Sequence, residues 1–147
     1  MNDIKEQIIK MLNQALKLEH AARIQYLSHA ELITGSGAEK IIERLKEIAS
    51  DEKEHEETFR ELIAGYLGGE PTMDLAETFE AKDTKEILEV NLKGEKEAVD
   101  FYKQIYEKLI ENKDSFPYEF ETLEHGIRHV IMDEQEHIVE LSLLLGL

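Results

Sequence analysis

Two short acidic stretches, Asp51-Glu52-Lys53-Glu54-His55 and Asp133-Glu134-Gln135-Glu136-His137, share the pattern D-E-x-E-H. Residues three apart on a helix lie on one face. Glu52 with His55, and Glu134 with His137, therefore each offer a carboxylate oxygen and an imidazole nitrogen to one point. Such a pair chelates a divalent metal. A charged run is more often a solvated helix face than a ligand set, and hydrophobic phase decides between the two. Ile41, Leu45, Ile48, Glu52, His55, Phe59, Leu62 and Tyr66 advance in steps of three and four, as do Phe120, Leu123, Ile127, Val130, Glu134, His137, Leu141 and Leu144. This is the core stripe of an amphipathic helix, with Glu and His in its middle. Glu54, Glu57 and Glu136 fall off the stripe and read as solvent-facing.

Two further acids share this phase. The first predicted helix runs from about Asp3 to Ile33, with Ile4, Ile8, Met11, Ala15, Glu19, Ala22, Tyr26, His29 and Ile33 as its stripe. Gly35-Ser36-Gly37 breaks it, and Ser36 with Glu39 reads as the capping box of a second helix reaching about Tyr66. An irregular stretch follows through Pro71 to Lys82. Asp83 with Glu86 is a second capping box, opening a third helix whose stripe is Leu88, Asn91, Glu95, Ala98, Tyr102, Ile105 and Leu109. Lys113-Asp114-Ser115 closes it, and Pro117 suits the first turn of a fourth helix.

These elements repeat. Helices one and three both carry E-x-x-A-x-x-x-Y, as Glu19-Ala22-Tyr26 and Glu95-Ala98-Tyr102, while helices two and four carry D-E-x-E-H. Glu19 and Glu52 are equidistant from the Gly-Ser-Gly turn, and Glu95 and Glu134 from the Asp114-Ser115 turn. In antiparallel hairpins each pair then meets at one height, about 15 residues or ~22 Å from its turn. Docking the hairpins gives an all-α four-helix bundle with four Glu and two His converging at mid-height. Burying each carboxylate costs several kcal/mol even after relaxation, and no Lys or Arg lies on any stripe. Two divalent cations would neutralise the four charges, which argues for a dinuclear centre at Glu19, Glu52, His55, Glu95, Glu134 and His137. Proton sharing among the carboxylates is the alternative.

Composition bounds the rest. A chain of 147 residues fits one domain, 1–147, and a net charge of −16 argues against nucleic acid, whose phosphates it would repel. With no Cys, any metal must be held by oxygen and nitrogen. The opening Met-Asn-Asp-Ile-Lys begins an amphipathic helix rather than a signal peptide, and no apolar run approaches membrane length. A cytoplasmic protein without a membrane partner is the expectation.

The segment Leu18-Glu19-His20-Ala21-Ala22-Arg23-Ile24-Gln25-Tyr26-Leu27-Ser28-His29-Ala30 resembles the first helix of the ferritin-like superfamily, and of bacterioferritin most closely. Glu52 with His55, Glu95, and Glu134 with His137 match that family's ferroxidase ligands in type, order and spacing. The resemblance implies a ferritin-like bundle of two helical hairpins with a long crossover between helices two and three. It implies Glu52 and Glu134 as bridging carboxylates and Glu19 and Glu95 as terminal ones. It implies oxidation of two Fe(II) by O2 or H2O2, for iron storage, detoxification or protection from oxidants. Manganese or zinc are alternative metals. A rubrerythrin-like peroxidase, a manganese-dependent peroxide scavenger and a non-redox metal-binding bundle are alternative functions. The bacterioferritin haem ligand, a Met after the first bridging Glu, is here Lys53, so no haem is expected. The chain ends ten residues after His137, which leaves no fifth helix of the kind that helps build a cage.

Asp51 and Asp133 are expected to orient the ligand imidazoles, and Tyr26 and Tyr102 to lie near the metals or simply in the core. His29 reads as a core or surface residue, His125 and His129 as exposed, and His20 as no ligand. Ile9, Leu16 and Ile24 lie off the first core stripe, and Leu143 and Leu147 off the last. Apolar residues on an outer face mark a subunit contact, so a homo-oligomer, minimally a homodimer, is expected.

Overall fold

Residues 3–147 are described by the computed structural model; Met1 and Asn2, at the predicted helix start, lie outside the described residues. Four long helices, α1 (Asp3–Ala30), α2 (Ala38–Arg60), α3 (Thr84–Glu111) and α4 (Phe120–Leu144), form the bundle, and no strand occurs among the described residues. α1 pairs with α2 and α3 with α4 as hairpins. The crossover from α2 to α3 runs beside α1 and in its direction. Its rungs are Asn13 Nδ2 to Glu70 O at 3.0 Å, Ala76 N to Lys17 O at 3.0 Å and Phe79 N to Gln25 Oε1 at 2.7 Å. α3 therefore begins at the end where α1 stops, and the two lie antiparallel.

The chain buries two apolar layers separated by a polar one. Ile8, Leu12, Leu16, Phe59, Ile63, Ile105, Leu109, Leu123 and Ile127 fill one end. Ile33, Leu45, Ile48, Ile87, Leu88, Leu92 and Leu141 fill the other. Between them lie Glu19, Glu52, His55, Glu95, Glu134 and His137, all buried.

Several boundaries differ from the sequence reading. α1 ends at Ala30 rather than Ile33, because Leu32 N turns back to His29 O at 3.0 Å in a tightened last turn. The Ser36 capping box does not form. The cap position falls to Gly37 at φ +77°, a left-handed conformation that glycine adopts without steric cost, and no side chain caps it. α2 widens into a π-helix over Glu61–Tyr66. Wider turns shift the side-chain phase, so Ile63 and Leu67 are buried while Tyr66, expected on the core stripe, is exposed. Pro117 lies in the turn before α4. Leu16, read as part of an outer face, is buried in the chain's own core, and Ile9 is half-buried against Gly69, where an added Cβ would come within 2.8 Å of Ile9 Cγ2. The outer face of α1 keeps Ile24 and Leu27 as exposed apolar residues.

The cap of α3 forms as read: Glu86 N donates to Asp83 Oδ1 at 2.8 Å, and Lys82 N donates to Glu86 Oε1 at 2.7 Å. Asp83→Ala is expected to lower unfolding stability by about 1 kcal/mol, read from the midpoint of urea denaturation. An unchanged midpoint would show that this cap does not help hold α3.

Candidate metal centre

Each ligand candidate owes its position to helical phase. Glu52 and His55 sit one turn apart on α2, Glu134 and His137 one turn apart on α4, and Glu19 and Glu95 face them from α1 and α3. His55 Nδ1 lies 3.2 Å from Glu52 Oε1 and 3.4 Å from both Glu19 Oε1 and Glu134 Oε1. His137 Nδ1 lies 3.1 Å from Glu134 Oε1, 3.2 Å from Glu95 Oε2 and 3.6 Å from Glu52 Oε1. Two four-residue clusters result. Glu19, Glu52, His55 and Glu134 form one, and Glu52, Glu95, Glu134 and His137 the other, each with ligand atoms within 4.8 Å of one another. Glu52 and Glu134 belong to both.

The surrounding hydrogen bonds hold these side chains crosswise. His55 Nε2–H faces Asp133 Oδ2 at 2.9 Å, and His137 Nε2–H faces Asp51 Oδ2 at 2.8 Å. Each Asp thus orients the imidazole of the other hairpin and leaves Nδ1 turned to the carboxylates, the outer-shell arrangement common at metal-binding histidines. The tyrosines follow the same rule. Tyr26 Oη donates to Glu95 Oε2 and Tyr102 Oη to Glu19 Oε2, both at 2.6 Å. Burial, with the Glu95 and Glu19 carboxylates respectively, raises both phenols far above their usual range and keeps them protonated donors.

After this network is complete, four buried side-chain atoms among the described residues have no hydrogen-bond partner: Glu19 Oε1, Glu52 Oε1, Glu134 Oε1 and His55 Nδ1. Buried polar groups are rarely left unpaired. Three oxygens and an imidazole nitrogen turned to one place form a donor set for borderline and hard divalent cations. Burial and the charge of Glu19 raise the Glu52 and Glu134 carboxyls well above the ordinary 4.5. Burial opposes charge on the imidazoles, but Asp133 and Glu19 push His55, and Glu134 and Glu95 push His137, up to about 11. Without metal the cluster therefore stores protons.

A cavity of about 360 Å³ reaches this centre between α1 and α3. Ala22, Gly94 and Ala98 line it with Glu77 and Phe79 of the crossover, and Glu19, Glu52, Glu95 and Glu134 reach it from the buried layer.

The histidines sort as read, with added detail. His20 and His29 are buried and clamp the crossover rather than joining the cluster. His20 Nδ1–H donates to Asp74 O at 2.6 Å while Nε2 accepts from Arg60. His29 Nε2–H donates to Phe79 O at 3.0 Å while Nδ1 accepts from Asn91, and burial lowers its pKa. His125 and His129 are exposed. The sequence reading missed Glu56, which is buried and held by Arg23, by Arg60 at 3.0 Å and near His20. Its neighbours Glu54 and Glu57 are exposed, and the only available signal was Arg60 one turn on.

Four helices joined by a long crossover, with paired carboxylate–histidine motifs facing inward, define a four-helix bundle built around buried carboxylate clusters. Residues 9–147 match the ferritin-like domain family, and the chain belongs to that family. It is 35% identical over 97 residues to the bacterial ferritins of Neisseria meningitidis and Neisseria gonorrhoeae, spanning 66% of this chain and 62% of theirs. Among solved structures, a ferritin-like diiron-carboxylate protein of Bacillus anthracis superposes with a TM-score of 0.89 at 27% identity, covering 99% of both chains. The haem-containing bacterioferritin of Rhodobacter capsulatus superposes at 0.82 with 24% identity, covering 96% of this chain and 84% of the other, which shows the shared fold. A dodecameric thioferritin of Bacteroides fragilis does so equally, at 0.82 and 24%, covering 97% and 86%. No described helix is long and apolar enough to cross a membrane.

The stored protons carry a stability consequence. Between about pH 4.5 and 11 the metal-free folded chain binds more protons than the unfolded chain, whose carboxyls and imidazoles titrate near 4.5 and 6.5. Stabilisation from groups with raised folded pKa values is full below the unfolded values and is lost as pH rises through the folded ones. Metal-free protein is therefore expected to melt at lower temperature as pH rises above about 6.5. The gap to metal-loaded protein should widen over the same range, since bound cations replace the protons. Circular dichroism melts across that window check this, and a metal-free melting point that climbs with pH would contradict it.

Proposed function

We propose that the chain binds two iron ions at Glu19, Glu52, His55, Glu95, Glu134 and His137 and oxidises Fe(II) with O2 or H2O2. The observation that carries this reading is the pair of clusters sharing Glu52 and Glu134, with buried oxygens and an imidazole nitrogen left unpartnered between them. Glu52 and Glu134 are the bridging carboxylates, Glu19 with His55 the terminal pair at one position, and Glu95 with His137 the pair at the other. Four carboxylates balance two divalent cations, so loading replaces the protons that burial and the charge of Glu19 favour on Glu52 and Glu134 in the metal-free state.

Fe(II) is the substrate and each ion gives up one electron. Dioxygen taking two electrons and two protons leaves as hydrogen peroxide, and hydrogen peroxide taking two of each leaves as two waters. The cavity between α1 and α3 is the route by which ions and oxidant reach the buried layer. Asp51 and Asp133 keep each imidazole's Nδ1 aimed inward throughout. Tyr26 and Tyr102 hold one oxygen of Glu95 and Glu19 and leave the other carboxylate oxygen for an ion. Likeness to the neisserial bacterial ferritins and to the Bacillus anthracis diiron-carboxylate protein supports iron as the metal. A homo-oligomer, minimally a dimer, accords with the exposed Ile24, Leu27, Leu143 and Leu147.

Anaerobic loading with Fe(II), followed by O2 or H2O2 and near-ultraviolet absorbance, tests this. The wild-type chain is expected to oxidise two Fe(II) per chain, and Glu52→Ala and Glu134→Ala to fall to the rate of iron in buffer. Both variants should keep the helical circular dichroism of the wild type, which separates lost ligation from lost folding. Either variant oxidising two Fe(II) per chain at the wild-type rate would sink the assignment.

A further inference from the structure

On α4, Glu121, His125, His129 and Asp133 follow one another at intervals of four residues, forming a line along the helix surface. His125 and His129 are exposed, the latter with 62% of its side chain accessible, and neither belongs to the buried clusters. Their rings stack with centroids 5.6 Å apart and planes 29° from parallel. His129 Nδ1 lies 3.9 Å from Asp133 Oδ2, the same oxygen that faces His55 Nε2 at 2.9 Å. The nearest cationic side chain in sequence, Arg128, is engaged by Glu124 Oε2 at 2.6 Å.

Two imidazoles four apart on a helix share a face and reach one cation, the arrangement used by helical H-x-x-x-H metal sites. Both rings are exposed, so turning them together displaces no packed neighbour. At 3.9 Å from Asp133 Oδ2 the His129 ring makes no hydrogen bond that would hold it, so it can turn a nitrogen toward a shared ion. We propose that His125 and His129 form a separate, exposed single-ion site for a divalent transition metal on α4. Glu121 lies one turn before the pair and Asp133 one turn after it.

Imidazole donors favour iron, nickel, copper and zinc over magnesium and calcium. The matching positions on α2, counted back from Asp51, are Glu47 and Glu43. The histidine pair is therefore no by-product of the internal repeat. The site itself stands whether or not the buried layer oxidises iron.

Calorimetric titration of the full chain with Ni(II) at neutral pH tests it. The wild type is expected to take up one more Ni(II) per chain than the His125→Ala/His129→Ala double variant, with uptake at the buried layer unchanged between them. In proton NMR, substoichiometric Ni(II) should broaden the ring signals of His125 and His129 before those of His20 and His29, and an excess of Mg(II) should not reverse this. Equal Ni(II) uptake by wild type and double variant, or broadening that spares His125 and His129, would overturn the proposal. A Glu52→Ala/Glu134→Ala chain is expected to keep the exposed ion. Its loss there would also overturn the proposal, whereas full wild-type uptake by that chain would count against the buried centre alone.

Discussion

Four carboxylates share one buried layer, and everything near them is arranged around that charge. Glu19, Glu52, Glu95 and Glu134 lie between two apolar clusters, where water cannot screen them. Placing an ion in such surroundings costs several kcal/mol. The cost is met locally by protons on Glu52, Glu134, His55 and His137, or by metal cations in their place. Either way the layer exchanges one form of positive charge for another. A bundle of this size could be sealed by apolar residues at those six positions with no such cost. The layer is therefore explained by what it binds and not by what it adds to folding.

Most of the hydrogen bonds that aim the layer run between hairpins, while His137 Nδ1 meets Glu95 Oε2 within the second. Tyr26 of the first reaches Glu95 of the second, Tyr102 of the second reaches Glu19 of the first, and Asp51 and Asp133 exchange imidazoles in the same way. Neither hairpin carries a complete half-site, although each carries a complete copy of the motif. Docking the hairpins and shaping the cluster are one event. Antiparallel α2 and α4 also bring Glu52 and Glu134 to a shared centre, where both belong to each cluster, and the twofold relation repeats the tyrosine and aspartate contacts.

Helical phase made most of this legible. The stripes place all six buried acids and imidazoles, because a polar residue in phase with a core stripe has nowhere else to point. Phase also fails where helical geometry changes. Tyr66 was misplaced by the π-helical turn over Glu61–Tyr66, and Leu16 by a stripe drawn too narrow to include Leu12. Turn chemistry was readable where the side chain itself caps, at Asp83, and unreadable at Ser36, where Gly37 supplies the cap by backbone conformation alone. The crosswise pairing of Asp51 and Asp133 was only half visible. Their role as orienting carboxylates follows from position, but which imidazole each serves depends on tertiary register. The burial of Glu56 with Arg23 and Arg60 is likewise a long-range fact, since Arg23 comes from another helix.

Symmetry stops at the edge of the layer, and the departures are where function can differ between the two hairpins. α1 is covered by the crossover, which His20 and His29 fasten through backbone carbonyls of Asp74 and Phe79. Each ring nitrogen of both histidines has a hydrogen-bond partner, so the two side chains act as fixed clamps. The cavity beside α3 is lined by Gly94 and Ala98. On the opposite side, α2 presents Glu43 and Glu47 where α4 presents His125 and His129. A repeat that is held strictly inside and released outside separates two demands. The interior keeps the same acids and imidazoles in both hairpins, while the surface gives each flank of the layer its own surroundings, a cavity on one side and an exposed histidine pair on the other.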